Sequence, residues 1–285
     1  MTYFDKFKEV PYTFKNGKKV KFTNMTTYSD VFDQVVDATS VYSFFSVTDG
    51  ERPDIVSERL YGTSDYYWTF FMLNPDLREK GWPQSVENLN KLMNEQLPGE
   101  CLVFLPQDGV DVGDNTDYLQ HAMIDAFPVG SNIFGQISGA SGVVYARNVD
   151  LGQLFVRKTN DIPFLRNESV VDVFEGAPDS QLIARIVHNP AYLAVHHFED
   201  GDGDNVDVDY ALDFRGRGNE GETNIIGGVV GDLVTPDPYA LTAPYNTVTW
   251  KEWYQNQNQD LSNIKIVKPG LIGEFVKLRA NSLDR

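Results

Sequence analysis

The stretch "AVHHFEDGDGDNVDVDYA" sets two adjacent histidines, His196 and His197, beside Glu199, Asp200, Asp202 and Asp204. Imidazole and carboxylate are the usual ligands of a transition metal, and alternating aspartates are the opening of a calcium loop. The spacing argues against both. Neighbouring residues of a strand point to opposite faces, so the two histidines would not converge on one ion. A calcium loop counted from Asp200 needs glycine at its sixth place and a bidentate glutamate at its twelfth, where this chain has Asn205 and Ala211. A strand running into a solvated hairpin turn is the expectation.

Other chemistry is no more specific. The chain contains no GxSxG, HExxH or P-loop pattern. "GQISGASG" and "GRGNEG" are rich in glycine but lack the strand–loop–helix setting of a phosphate cradle, so loop geometry is the expected reason for them. Cys101 is the single cysteine, which excludes an intramolecular disulfide and a thiolate zinc cluster. Lying between Glu100 and Leu102 in an apolar run, it is expected in the core. No residue is therefore assigned a catalytic, cofactor-binding or metal-binding role.

The bulk composition narrows the partners. The chain has 285 residues, of which 41% are hydrophobic and 23% charged, enough for two or more folded units. A net charge of −17 repels phosphate backbones and anionic lipid headgroups, so neither nucleic acid nor membrane is expected as a partner. The N-terminal stretch lacks the continuous apolar run of a secretory signal, and no run of about 18 apolar residues suggests a membrane span.

The elements that must position these residues read as an α+β, β-rich chain. Asn16-Gly17 between two alternating runs predicts a hairpin with Val20 and Phe22 on one face. "VYSFFSV", from Val41 to Val47, reads as a strand, and a helix is expected to start at Pro53 or Asp54 and to stop at Gly62. Thr63 or Ser64 caps the next helix, which Asn74-Pro75 closes and which gathers Tyr66, Tyr67, Trp68, Phe70, Phe71 and Met72. Those aromatics are expected as core, with Trp68, Phe71 and Met72 packed on Phe44, Phe104 and Leu105. Ser85 caps a further helix carrying Val86, Leu89, Leu92 and Met93, and "LPGECLVFLP" gives a turn and a buried strand. Residues 129–187 have the texture of a β-rich unit, and residues 215–245 that of extended Gly/Pro loops. Four segments are expected: an arm with a hairpin (1–40), a small module (41–108), a β-rich unit (129–187), and a hairpin with loops and a tail (188–285).

The order "YSFFSV", "DG", helix, "YGTSD", helix ending in "LNP", then "LPGECLVFLP" resembles a LysM module, a β-α-α-β unit. A "GWP" step and an extra helix between residues 76 and 96 depart from that pattern. With "AVHHFED" and "IKIVKPGLIGEFVKL" further on, the chain is similar to the LysM-containing baseplate wedge proteins of contractile-tailed phages of the T-even type. The resemblance implies a non-enzymatic virion component, assembled in the host cytoplasm without cofactors. It further implies that the chain joins wedges into a ring around the tail hub, beside other wedge and hub proteins and copies of itself in sixfold array. The alternative it leaves open is a tail protein that binds or degrades peptidoglycan, anchored by the LysM-like module.

The tail, residues 263–285, carries five basic residues against Glu274 and Asp284. Ile264 and Ile266 alternate as in a strand, and Leu271, Phe275 and Leu278 share one helical face after Pro269-Gly270. Two readings stay open: the tail completes its own core, or it is an arm that docks a neighbouring subunit.

Overall fold

The computed structural model describes residues 7–24, 40–104, 127–172, 181–206 and 246–283. The first element is the expected hairpin. Strands β1 (Glu9–Thr13) and β2 (Lys19–Thr23) pair antiparallel around Gly17, whose φ of 79° is the left-handed conformation that favours glycine.

The chain divides into two compact units, one of them discontinuous: Met1–Leu89 with Asn256–Arg285, and Asn90–Gln255. In the discontinuous unit, β3 (Tyr42–Ser46) leads to α1 (Pro53–Tyr61), which begins at proline and stops at Gly62 with φ 72°. Thr63 caps a single 3-10 turn, Ser64–Tyr66, by accepting from the Asp65 N–H. Helix α2 (Trp68–Leu73) follows, and Pro75 opens α3 (Pro75–Lys80) instead of merely ending α2. Helix α4 (Val86–Gln96), whose residues from Asn90 onward belong to the continuous unit, starts at Ser85, whose hydroxyl accepts from the Asn88 N–H. Of its expected apolar stripe, Leu89 and Met93 are buried while Val86 is exposed.

The partner of β3 is not the strand that the β-α-α-β order led one to expect. Strand β13 (Asn263–Val267), near the C-terminus, pairs antiparallel with β3, Tyr42 opposite Val267 and Ser46 opposite Asn263. Helix α6 (Ile272–Leu283) then lays Phe275 and Val276 against Trp68, Leu73 and Val267. Phe70, Val56 and Val47 pack with Ile264 and Ile266 in a second cluster. The tail therefore completes its own unit, because its alternating isoleucines and the apolar face of α6 are what β3 and α2 need to bury. The arm reading of the tail falls with that. Of the aromatic block, Trp68 and Phe70 are core, Tyr66, Phe71 and Met72 are partly buried beside them, and Tyr67 is exposed, contrary to expectation; the partners are β13 and α6. Phe44 faces outward at 62% exposure, Phe104 belongs to the other unit, and Leu105 lies outside the described residues.

In the continuous unit, six strands close into an antiparallel barrel in the order β4-β7-β6-β5-β8-β9. They are β4 (Glu100–Phe104), β5 (Asn132–Gly135), β6 (Ser141–Asn148), β7 (Gln153–Lys158), β8 (Glu168–Asp172) and β9 (Gln181–His188). The strand Glu100–Phe104, expected to end the small module, is thus a barrel stave between β7 and β9. Its Leu102 and Phe104 point into a core with Phe127, Ile133, Leu154, Val170 and Leu182. Cys101 and Val103 point the other way, into a cluster with Phe155, Ala191, Val195 and Phe198. A strand buried on both faces has no polar alternation, which is why it reads as a plain apolar run. The expected segments 41–108 and 129–187 therefore do not match the units: the barrel takes residues from both. Outside the barrel, β10 (Val195–Glu199) pairs with β11 (Asn205–Val206) and β12 (Asn246–Thr249), and α5 (Trp250–Ser262) follows. The expected Gly/Pro loops, residues 215–245, lie outside the described residues.

Candidate functional site

Strand β10 carries the histidine pair, and its pairing with β12 is interrupted by a bulge between Val195 and His197. A bulge adds a residue to one strand and breaks the alternation of its side chains. The two rings consequently meet, His196 Nδ1 lying 2.7 Å from His197 Nδ1, contrary to the opposite-face expectation. His197 Nε2 is 3.0 Å from Glu199 Oε1. With the carboxylate as acceptor, His197 Nε2 donates, its Nδ1 accepts, and His196 Nδ1 is the donor that meets it. The row ends in indole: His196 stacks on Trp253 at 4.8 Å and meets the edge of Trp250 at 4.2 Å. Burial, and then His197, hold His196 below the ordinary histidine value.

A carboxylate–histidine–histidine row resembles a proton relay, but a relay needs a reacting group at its far end. Trp253 offers a π face there, neither nucleophile nor acid. Among the described residues no group of three His, Cys, Asp or Glu side chains has the geometry to hold a metal ion. The row orders side chains and fixes Trp250 and Trp253 beside β10.

The acidic turn is the expected hairpin between β10 and β11. Asp200 Oδ1 accepts from the N–H groups of Asp202 at 2.9 Å and Asp204 at 3.0 Å, so this carboxylate closes its own turn. Ala211 lies outside the described residues, as does "GRGNEG". "GQISGASG" forms the β5–β6 turn, and it does bind an anion, one from its own chain. Glu168, wholly buried on β8, accepts through Oε2 from Ile137 N at 3.3 Å and Ser138 N at 2.9 Å, and through Oε1 from Ser138 Oγ at 2.9 Å and from Leu165 N. A Cβ at Gly135 would come within 2.6 Å of Glu168 Oε2, which accounts for the glycine. A second buried carboxylate, Glu100, meets Lys158 Nζ at 3.2 Å, Phe164 N at 3.0 Å and Asn189 Nδ2 at 2.8 Å. Neither glutamate carries a signature in the sequence beyond its place in an apolar run. Cys101 is buried, and burial pushes its thiol well above the ordinary value, as expected of a core cysteine.

In the discontinuous unit the loop after β3 is covered by the "GWP" segment. Trp82 Nε1 donates to Glu51 O at 2.7 Å, and its ring lies 5.8 Å from both Phe70 and Phe71. Val86 N donates to Asp49 Oδ1 at 2.9 Å. Asn74 ties α2 to β13 like a missing strand: its Nδ2 donates to Lys265 O at 2.9 Å, and its Oδ1 accepts from Lys265 N at 2.8 Å. Tyr61 Oη donates to Val267 O at 3.0 Å, and burial pushes this phenol up to about 12. Among the described residues no helix is long and apolar enough to cross a membrane. No protein-family model matches the chain, and no curated protein matches it.

Proposed function

We propose that the protein is a structural, non-enzymatic subunit of a contractile phage tail baseplate, one that helps join wedges into the ring around the hub. The observation that carries this reading is the antiparallel pair β3–β13 with α1 and α2 between its strands in sequence, a LysM-like β-α-α-β arrangement. The closing strand comes from "NIKIV" instead of "ECLVF", and the barrel is an insertion in the sequence of the module. The support is partial, since the strand "ECLVF" on which the resemblance drew belongs to the barrel, while Tyr42–Leu73 and Asn263–Leu283 belong to one unit. Partners would be neighbouring wedge and hub proteins and further copies of this chain, in the virion.

The competing reading, a peptidoglycan binder, needs the loops after the first strand and after the second helix to be open. Here Trp82 and the start of α4 bond to residues 49–51 on that side, which disfavours a glycan groove. The test is reconstitution. Wedges prepared without this protein should close into rings on addition of the purified chain, counted by electron microscopy, while the chain alone should show no saturable retention on purified peptidoglycan. Wedges that close equally well without it, or saturable glycan retention, would replace this function with another.

A further inference from the structure

The ribbon β1–β2 presents an apolar face that is largely exposed. Val10 opposes Phe22 and Tyr12 opposes Val20, so these four share a face, with Phe14 at its turn end. Val10, Tyr12, Phe14 and Phe22 are 48%, 56%, 41% and 50% exposed. The rings contact one another, Tyr12 to Phe14 at 5.0 Å and each of them to Phe22 at 6.2 Å. A lone two-stranded ribbon is marginal in water, so such a face normally finds cover. The ribbon's charge indicates what covers it. Lys8, Lys15, Lys18, Lys19 and Lys21 against Glu9 give residues 8–23 a net +4, which leaves −21 on the rest of a chain of −17.

We propose that this ribbon is an arm that docks on the acidic body of a second copy of the chain. Each copy carries both halves of the contact, the basic aromatic arm and an acidic remainder, and the aromatic face of the arm is exposed in the single copy. Arm-to-arm pairing would set +4 against +4 and is disfavoured. Arm-to-body contact is heterologous, the kind that generates rings when its rotation closes. The aromatic face supplies contact area and the lysines steer it. This inference rests on the ribbon's own exposure and charge and is independent of the wedge reading.

Sedimentation velocity of the full chain over a concentration series tests it. The chain should self-associate at low ionic strength and lose at least tenfold in affinity near 1 M salt, where the screening length is about 3 Å. Two variants should stay monomeric with an unchanged melting curve: Tyr12→Ser/Phe14→Ser/Phe22→Ser and Lys15→Glu/Lys18→Glu/Lys19→Glu. Amine-to-carboxyl cross-links between isotopically heavy and light copies should join ribbon lysines to acidic residues outside residues 8–23. A wild-type chain that stays monomeric overturns the proposal and assigns the arm to a different acidic protein. Association that both variants retain, or cross-links only between ribbons, overturns it as well.

Discussion

Glu168 faces donors on both of its carboxylate oxygens, and this makes the acid itself, not its size, the feature the barrel depends on. Glutamine has nearly the same shape, yet its amide NH2 would turn a donor toward N–H groups that need an acceptor. Glu168→Gln is therefore expected to cost about 2–3 kcal/mol, read from urea unfolding, through N–H groups left buried without a partner. A loss below about 0.5 kcal/mol would mean that the β5–β6 turn does not rely on the carboxylate. The histidine row makes a prediction of a different kind. The unfolded chain takes up a proton at His196 near 6.5, and the native chain does so only at lower pH. The stability associated with this group is therefore intact above 6.5 and falls as the pH drops from there through the native value. The wild-type melting temperature should decline between about pH 7 and pH 5 more steeply than that of His196→Phe. Parallel curves would locate the acid sensitivity elsewhere.

At the scale of elements, what holds α2 against β13 is a side chain imitating a strand. Asn74 gives and receives one hydrogen bond with the backbone of Lys265, and its Nδ2 also reaches Phe70 O at 2.7 Å. Asn74→Ala should cost about 2–3 kcal/mol by leaving a peptide group unpaired, and Asn74→Asp should not rescue it, because a carboxylate cannot donate to Lys265 O. Rescue by aspartate would show that only the accepted bond matters. Asn74 also marks the limit of what the sequence discloses. "LNP" announces a helix stop, since asparagine before proline disfavours helical backbone, and the stop is there. That the same amide pairs with Lys265, 191 positions away, has no local signature. The features legible in advance are those fixed by neighbours: the turn at Asn16-Gly17, the left-handed stop at Gly62, the cap at Ser85, the hairpin at Asp200. Features fixed by distant chain have no such local mark. "ECLVF" and "NIKIV" are both short apolar strands, and nothing within either tells which one β3 will choose. The meeting of His196 and His197 escaped for a related reason, since a bulge arises from how β10 fits β12 and not from the residues around it.

For the whole molecule, the division into units sorts residues by when they become available as well as by where they sit. The barrel unit is continuous, and the six strands of the barrel itself all lie between residues 100 and 188. The other unit is bridged by contacts as distant as that of Tyr61 with Val267, 206 positions apart. Its β3, α1 and α2 emerge early, with Phe70, Val56 and Trp68 lacking the strand and helix that bury them. A ribosome adds roughly 5–20 residues per second, so these side chains await β13 for about 10–40 seconds. The barrel can close in that interval. The half-made unit, with its aromatic helix uncovered, is the species a chaperone or an aggregate would capture. Translation stalled anywhere between the barrel and residue 263 leaves a finished barrel fused to an unfinished neighbour, so the codons of β13 and α6 decide whether the product is usable.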